Sequence, residues 1–118
     1  MRIDLLLALA DHIEKNVADA SFFMGYYWFK GKGCAAGHAA QMPLFKEAGL
    51  TMIADWRIYV VKFKEETGLD ALALLFEMDV MEASHLFLAP STTSRLDFVK
   101  KIRDFISERS EPHAPRPS

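Results

Sequence analysis

The chain has 118 residues, of which 51% are hydrophobic and 25% charged, as expected for a globular protein with one core. Its formal net charge of -2 excludes a global field that would favour nucleic acid or an anionic membrane. A single cysteine excludes an internal disulfide and the paired-cysteine motifs of structural zinc sites.

The ends of the chain predict one domain followed by a tail. The first apolar run is broken by Asp11 and His12, so it is too short and too acidic for a secretory signal. With no apolar run long enough to span a bilayer, we expect a cytoplasmic protein that does not contact membranes. Residues 1–108 form the predicted helical domain, and the proline-rich residues 109–118 form a predicted disordered tail.

The first predicted element is an amphipathic helix, because apolar residues recur every three or four positions from Ile3 to Val17. An aromatic segment, residues 22–29, follows it. Its six rings cannot all be buried, so we expect irregular chain whose exposed rings line a groove or a partner surface. The candidate partner surface consists of Phe22, Phe23, Tyr26, Tyr27, Trp28 and Phe29.

Two helices are predicted after the aromatic segment. The composition of the stretch GKGCAAGHAAQ, residues 31–41, favours a helix that starts at Cys34 and continues to Met42. Pro43 cannot continue that helix but suits the first turn of another. This second helix has the sequence PLFKEA and is expected to end at Gly49.

A β-hairpin is predicted next, because the period of the sequence changes to two and β-branched and aromatic residues are enriched. Ala54 and Asp55 are its predicted turn. The strand pattern is carried by two alternating sets, Trp56, Ile58 and Val60 on one face and Arg57, Tyr59 and Val61 on the other.

The last part of the chain predicts three helices. Thr67 with Asp70, and Asp79 with Glu82, resemble capping boxes that start the first two, and Pro90 ends the second. The predicted fold is therefore mainly α, and α+β in detail: a compact bundle of about four or five helices with a small β-hairpin. The final helix carries an apolar stripe at Phe98, Val99, Ile102, Phe105 and Ile106.

Two motifs resemble a group of small, uncharacterised bacterial and phage-borne proteins. One is CAAGHA at 34–39, within a Cys-Ala/Ile-x-Gly-His/Trp-Ala pattern, and the other is Pro-x-Phe-x-x-x-Gly-Leu at 43–50. The resemblance covers roughly residues 1–107 and implies no particular activity. Tryptophan is common in that group where this chain has His38, which argues against a catalytic or metal-binding role for the residue, since indole is neither base nor ligand.

Four hypotheses explain the stretch at 31–41. Cys34 and His38, four residues apart on one helix face, would suit a thiol nucleophile with its base. They would also supply two zinc ligands. The remaining zinc ligands would have to come from His12 and His85, or from Asp11 and Glu82.

The third hypothesis is a phosphate site, in which Gly31, Gly33 and free amides at the helix start face the anion. Its candidate ligand-binding residues are Lys30, Lys32, Gly33, Cys34 and His38. The fourth is packing: glycine costs about 1 kcal/mol relative to alanine inside a helix. A close backbone crossing at Gly37 would compensate for that cost, and we favour this fourth hypothesis.

The sequence therefore predicts a non-enzymatic interaction or binding protein, with no cofactor and no metal. Its partner is another protein or a second copy of the chain, and the resemblance suggests an accessory factor of a phage or another mobile element. A small-ligand module that binds phosphate at Gly31–Cys34, and a Cys/His thiol enzyme, are the alternatives. Acidic residues interspersed among Lys62, Lys64 and the lysines of the last helix argue against nucleic acid.

Overall fold

The computed structural model describes residues 1–55 and 58–110. Within these ranges it contains six α-helices and a three-stranded antiparallel sheet, which confirms the mainly α fold class. The longer helices are α1 (Ile3–Asn16), α4 (Gly68–Phe76), α5 (Val80–Phe87) and α6 (Arg95–Ser110). The shorter ones are α2 (Ala35–Ala39) and α3 (Pro43–Ala48), and a 3-10 turn lies at Asp19–Ser21.

One hydrophobic core joins these elements. Helix α1 packs along α6, and α4 packs against α5 and the sheet. The predicted stripe of α1 is buried at Leu6, Ala10 and Ile13. The predicted stripe of α6 is buried throughout, so the helical periodicity of the sequence identified both core faces correctly.

The sheet consists of β1 (Leu50–Asp55), β2 (Ile58–Phe63) and the short β3 (Glu66–Thr67), in the order β1-β2-β3. The predicted turn at Ala54–Asp55 is wrong, because Ala54 pairs with Tyr59 and Asp55 pairs with Ile58. A period of two continues through both strands and does not locate a turn that lacks glycine. Trp56 and Arg57, which the sequence assigned to a strand, lie outside the described residues.

Proline and glycine set the bounds of the short helices. Pro43 holds Met42 in the extended region, and α2 ends at Ala39 rather than continuing to Met42. Pro43 begins α3 as predicted, and Gly49 follows that helix with a left-handed φ of 109°. Residues 34–48 therefore form two short helices with a sharp turn between them.

Only one of the two predicted capping boxes forms. Asp79 accepts a hydrogen bond from the Glu82 amide at 2.7 Å, and the Glu82 carboxylate accepts one from the Asp79 amide at 3.2 Å. Thr67 precedes α4 but makes no side-chain capping bond. It pairs with Lys62 in the sheet, so the strand fixes its orientation.

The end of α1 is held against the start of α6 by Arg95. Its guanidinium donates to the carbonyl oxygens of Ile13 at 3.0 Å and Glu14 at 2.7 Å, and to the Asp19 carboxylate at 2.8 Å. The carbonyls at the end of a helix have no partner within the helix, so this side chain satisfies two of them. Helix α6 continues through Ser110, into the predicted tail, and residues 111–118 lie outside the described residues.

We predict that Arg95→Met lowers the free energy of unfolding by about 2 kcal/mol, because hydrogen bonds from a charged donor to partly buried carbonyls are lost. Urea denaturation measures the change. Arg2→Met is the control: its ion pair with Asp4 is exposed and screened by solvent, so the loss there should be clearly smaller than at Arg95. Equal losses in the two variants would contradict the role assigned to Arg95.

Candidate functional site

The backbone of the aromatic segment crosses directly over α2. A Cβ atom built on Gly37 would collide with the Tyr27 carbonyl oxygen, and one built on Gly33 would collide with the same oxygen. Carbon Cε3 of the Trp28 ring would lie 3.3 Å from the Cβ of residue 37. The close backbone approach predicted for Gly37 is confirmed, and its partner is the peptide group of Tyr27.

His38, which follows Gly37 in α2, is buried. Its Nε2 lies 2.7 Å from the Ser21 carbonyl oxygen, and because a carbonyl only accepts, Nε2 carries the proton and donates. The ring stacks on Phe22 at a centroid distance of 6.2 Å and meets Trp28 edge-on at 4.9 Å. Burial lowers the pKa of His38, although the bond to Ser21 opposes that shift. The net effect favours the neutral imidazole.

Cys34 precedes α2 and is also buried. Burial raises the pKa of the thiol, and this effect outweighs the amides of Gly37 and Ala36, which favour the thiolate. The Cys34 carbonyl accepts from the His38 amide at 3.0 Å, so the two residues are joined by the helix backbone. Their side chains face different neighbours, and the geometry gives no support to a thiolate activated by histidine.

The geometry also gives no support to a phosphate site at the start of α2. The amides of Lys32, Gly33 and Cys34 already donate to the carbonyls of Phe29, Ser21 and Tyr26, at 3.1, 3.1 and 3.0 Å. The two lysines lie over aromatic rings. Lys30 Nζ is 5.3 Å from the ring centroid of Phe29, and Lys32 Nζ is 5.3 Å from that of Phe23. The premise of free amides is therefore not met at these three positions.

The carboxylates considered as further zinc ligands have other partners. Asp11 pairs with Arg103 at 3.0 Å, and Glu82 pairs with Arg109 at 2.9 Å. Among residues 1–55 and 58–110, no group of three or more His, Cys, Asp or Glu side chains is placed to hold a metal ion. The described residues thus do not bring Cys34, His38 and the proposed additional ligands together in a metal site.

Among the six predicted partner-surface rings, one is buried and three form an outer group. Phe22 is 7% exposed and packs between His38 and Phe98, so the structure removes it from the predicted surface. The position of Phe22 in the sequence relative to α1 gave no indication that its ring would be buried. The outer group is a chain of ring contacts in which Tyr26 meets Phe23 at 4.8 Å and Phe29 at 5.9 Å, with Phe29 49% exposed.

Tyr26 of this outer group and the neighbouring Tyr27 border a groove of about 290 Å³, which we call the tyrosine groove. Its lining residues come from the aromatic segment, from the start of α2, from β2, from α4 and from the end of α5. Among the residues that the structure describes, none of those lining this groove is Asp, Glu, Lys, Arg or His. The lining consists of Met24, Gly25, Tyr26, Tyr27, Cys34, Ala36, Tyr59, Leu69, Leu72, Phe87 and Leu88.

Tyr59 and Leu88, on the two sides of this groove, were not among the candidate residues. Tyr59 shares a face of β2 with the buried Val61 and Phe63, yet it is 46% exposed, because it lies beyond the edge of the core. Leu88, just after α5, is 62% exposed. The period of β2 was the one sequence signal that placed Tyr59 on the inner face, while nothing local marked Leu88.

The chain matches no family model, no curated protein and no solved structure. The resemblance to bacterial and phage-borne proteins therefore stays a prediction. In residues 1–55 and 58–110, none of the helices has the length and apolar character that crossing a bilayer requires.

We predict that Gly37→Ala lowers the free energy of unfolding by about 3 kcal/mol or more, because the methyl group forces the Tyr27 peptide away from α2. Helix propensity alone would stabilise this variant by about 1 kcal/mol, so the sign of the change separates the two effects. Urea denaturation is the measurement. Gly31→Ala is the control, since open space surrounds that position and only its φ of 78° resists alanine, at about 1 kcal/mol.

We also predict that His38 makes stability fall as the pH drops from about 6.5 to 5. Its pKa is lowered in the folded state, so over this range the unfolded chain binds a proton that the folded chain does not. His38→Gln keeps a nitrogen donor for Ser21 but does not titrate, and it should reduce this slope. The same slope in wild type and variant, measured by denaturation at several pH values, would contradict the assignment.

Proposed function

We propose that this chain is a non-enzymatic binding protein that takes an uncharged, apolar segment of a protein partner into the tyrosine groove. The proposal rests chiefly on one observation: a concave site of about 290 Å³ lies beside the aromatic segment, and its described lining residues include no Asp, Glu, Lys, Arg or His. Concave apolar surface of this kind is where proteins bury the anchoring side chains of their partners.

The chemistry of the lining supports a partner that is apolar with a few polar groups. Burial raises the pKa of the Tyr27 hydroxyl and so favours its neutral form. Tyrosines combine a large apolar area with one hydrogen-bonding group and lose little entropy on binding, which favours them at interfaces. A charged group would find no ion-pair partner among the described lining residues and would lose its hydration.

The groove also joins residues of the aromatic segment to a residue of the hairpin. Tyr26 and Tyr27 come from the aromatic segment, whereas Tyr59 comes from the hairpin. The alternatives have less support. The thiol pKa of Cys34 is raised and the imidazole of His38 is bonded to Ser21, which weighs against thiol chemistry, and the bonded amides of residues 32–34 weigh against a phosphate site.

The proposal predicts that peptides selected from a random library on the full chain share an uncharged apolar anchor. Leu88→Arg should weaken their binding at least about ten-fold, because removing the new charge from water at the groove costs more than about 1.4 kcal/mol of binding free energy. Fluorescence polarisation with labelled peptides gives the dissociation constants. Leu88 is 62% exposed, so this change leaves the core intact.

Leu96→Arg is the matched control, since Leu96 is 53% exposed and does not line the groove. Peptides that lose the same affinity in both variants bind elsewhere. Such a result, or a library that yields no binding peptide, would overturn the proposal.

A further inference from the structure

We propose that a second surface of this chain, on the exposed face of α4, binds a basic amphipathic helix of a partner protein. The surface is a groove of about 680 Å³ formed by residues of α4, the start of α5 and β3, and we call it the acidic groove. It shares no described lining residue with the tyrosine groove, so this inference stands independently of the proposed function.

The acidic groove exposes apolar side chains where the surface of a helix is normally polar. Residues 71–76 of α4 read ALALLF, so the helix is apolar on every side after Asp70. A helix of that composition is normally covered all round. Here Leu74 stays 42% exposed and Val80, at the start of α5, stays 45% exposed, and both line the groove. This uncovered apolar surface is what a partner would bury.

Four carboxylates border the apolar surface, and all four belong to exposed residues: Glu66, Asp70, Glu77 and Asp79. The described residues that line the groove include no Lys, Arg or His. The groove therefore carries more formal negative charge than the whole chain, whose net charge is -2. A surface of one sign attracts a partner of the opposite sign and repels one of the same sign, so the groove favours a cationic partner.

Little of this charge is neutralised within the chain. The Glu77 carboxylate lies 3.8 Å from the Arg2 guanidinium, but Arg2 donates more closely to Asp4, at 2.9 Å. Glu66, Asp70 and Asp79 form no ion pair with another described residue. These carboxylates are therefore available to cations supplied by a partner.

The spacing of the groups matches a helical partner. Asp70, Ala73 and Leu74 share one face of α4, and Glu77, which follows the helix, borders the same groove. Asp70 and Glu77 are seven positions apart, or about 10 Å along the helix axis, with the apolar pair between them. A partner helix aligned with α4 would match this pattern with a basic residue at i, apolar residues at i+3 and i+4, and a basic residue at i+7.

The first test measures the binding of two synthetic peptides to the full chain. The basic peptide is a helix of about 15 residues that repeats this pattern with leucine and lysine, and the acidic peptide has glutamate in place of each lysine. Fluorescence polarisation should show the basic peptide binding at least about ten-fold more tightly than the acidic one, and added salt should weaken it. Equal affinities, or no binding of the basic peptide, would overturn the inference.

Paired substitutions test the charges. Asp70→Asn with Glu77→Gln should weaken the basic peptide about five-fold, because two exposed ion pairs are lost. Asp97→Asn with Glu108→Gln is the matched control, since it removes two exposed carboxylates that do not line the acidic groove. Equal losses in the two double variants would mean that only the total charge matters, which contradicts a site at α4.

A single substitution tests the apolar contact. Leu74→Gln keeps a side chain of similar length that suits a helix but removes the apolar anchor, so the basic peptide should bind at least about five-fold more weakly. Leu96→Gln is the matched control, because Leu96 is 53% exposed and does not line the acidic groove. Unchanged affinity in Leu74→Gln would overturn the inference.

NMR locates the bound peptide. Amide shifts caused by the basic peptide should centre on Leu74 and Val80 and leave Tyr59 and Leu88 of the tyrosine groove unaffected, so the two sites are tested separately. Shifts centred on the tyrosine groove would overturn this inference and leave the proposed function standing. A dimer of the chain alone, seen by sedimentation and dissociated by Leu74→Gln, would place a second copy in the acidic groove and would also overturn it.

Discussion

The crossing of the Tyr27 peptide over α2 is the contact on which the rest of the candidate site depends. Only glycine at positions 33 and 37 leaves room for the Tyr27 carbonyl oxygen. That approach brings the Cys34 amide to the Tyr26 carbonyl and the Gly33 amide to the Ser21 carbonyl. It thus ties an irregular segment, which has few hydrogen bonds of its own, to a helix of the core.

Packing of this kind explains the stretch at 31–41, whose residue types also suit a thiol nucleophile, a zinc site or a phosphate site. His38 donates to Ser21 and lies against Phe22 and Trp28. Its imidazole therefore acts as a flat ring with one donor that holds the aromatic segment against α2. Cys34 is a small buried side chain at the start of the helix, with a raised pKa. The two lysines of the turn cover the outer rings of Phe29 and Phe23.

The tyrosine groove is a consequence of the same crossing. With the aromatic segment fixed on α2, Tyr26 and Tyr27 line the groove together with residues of α4 and α5 and with Tyr59 of β2. The described residues thus form a concave surface without charged side chains, on a protein whose formal net charge is only -2. Recognition through this surface would depend on shape and apolar contact rather than on long-range electrostatic attraction.

The sequence predicted the features that local physics controls. Helical periodicity identified the buried stripes of α1 and α6, the pair Asp79 and Glu82 identified a capping box, and the cost of glycine inside a helix pointed to the crossing at Gly37. It failed where tertiary contacts decide. Pairing with Lys62 holds Thr67 in the sheet, and the strand register rather than local turn chemistry sets the end of β1.

The groove was the least predictable feature, for a related reason. Its walls come from residues as far apart in the chain as Met24 and Leu88, and no period or motif links them. The aromatic segment did indicate that a groove or partner surface would form. Which rings would remain accessible depended on the crossing, since it buries Phe22 and leaves Phe29 half exposed.

Amide hydrogen exchange of Gly33 and Cys34, followed by NMR under native conditions, tests the central claim most directly. If the crossing is part of the core, both amides exchange only through global unfolding, and their protection equals that of Leu9 in α1 and Ile102 in α6. Exchange of Gly33 and Cys34 several orders of magnitude faster than that of Leu9 and Ile102 would mean that the aromatic segment lifts from α2 independently, and would contradict the account.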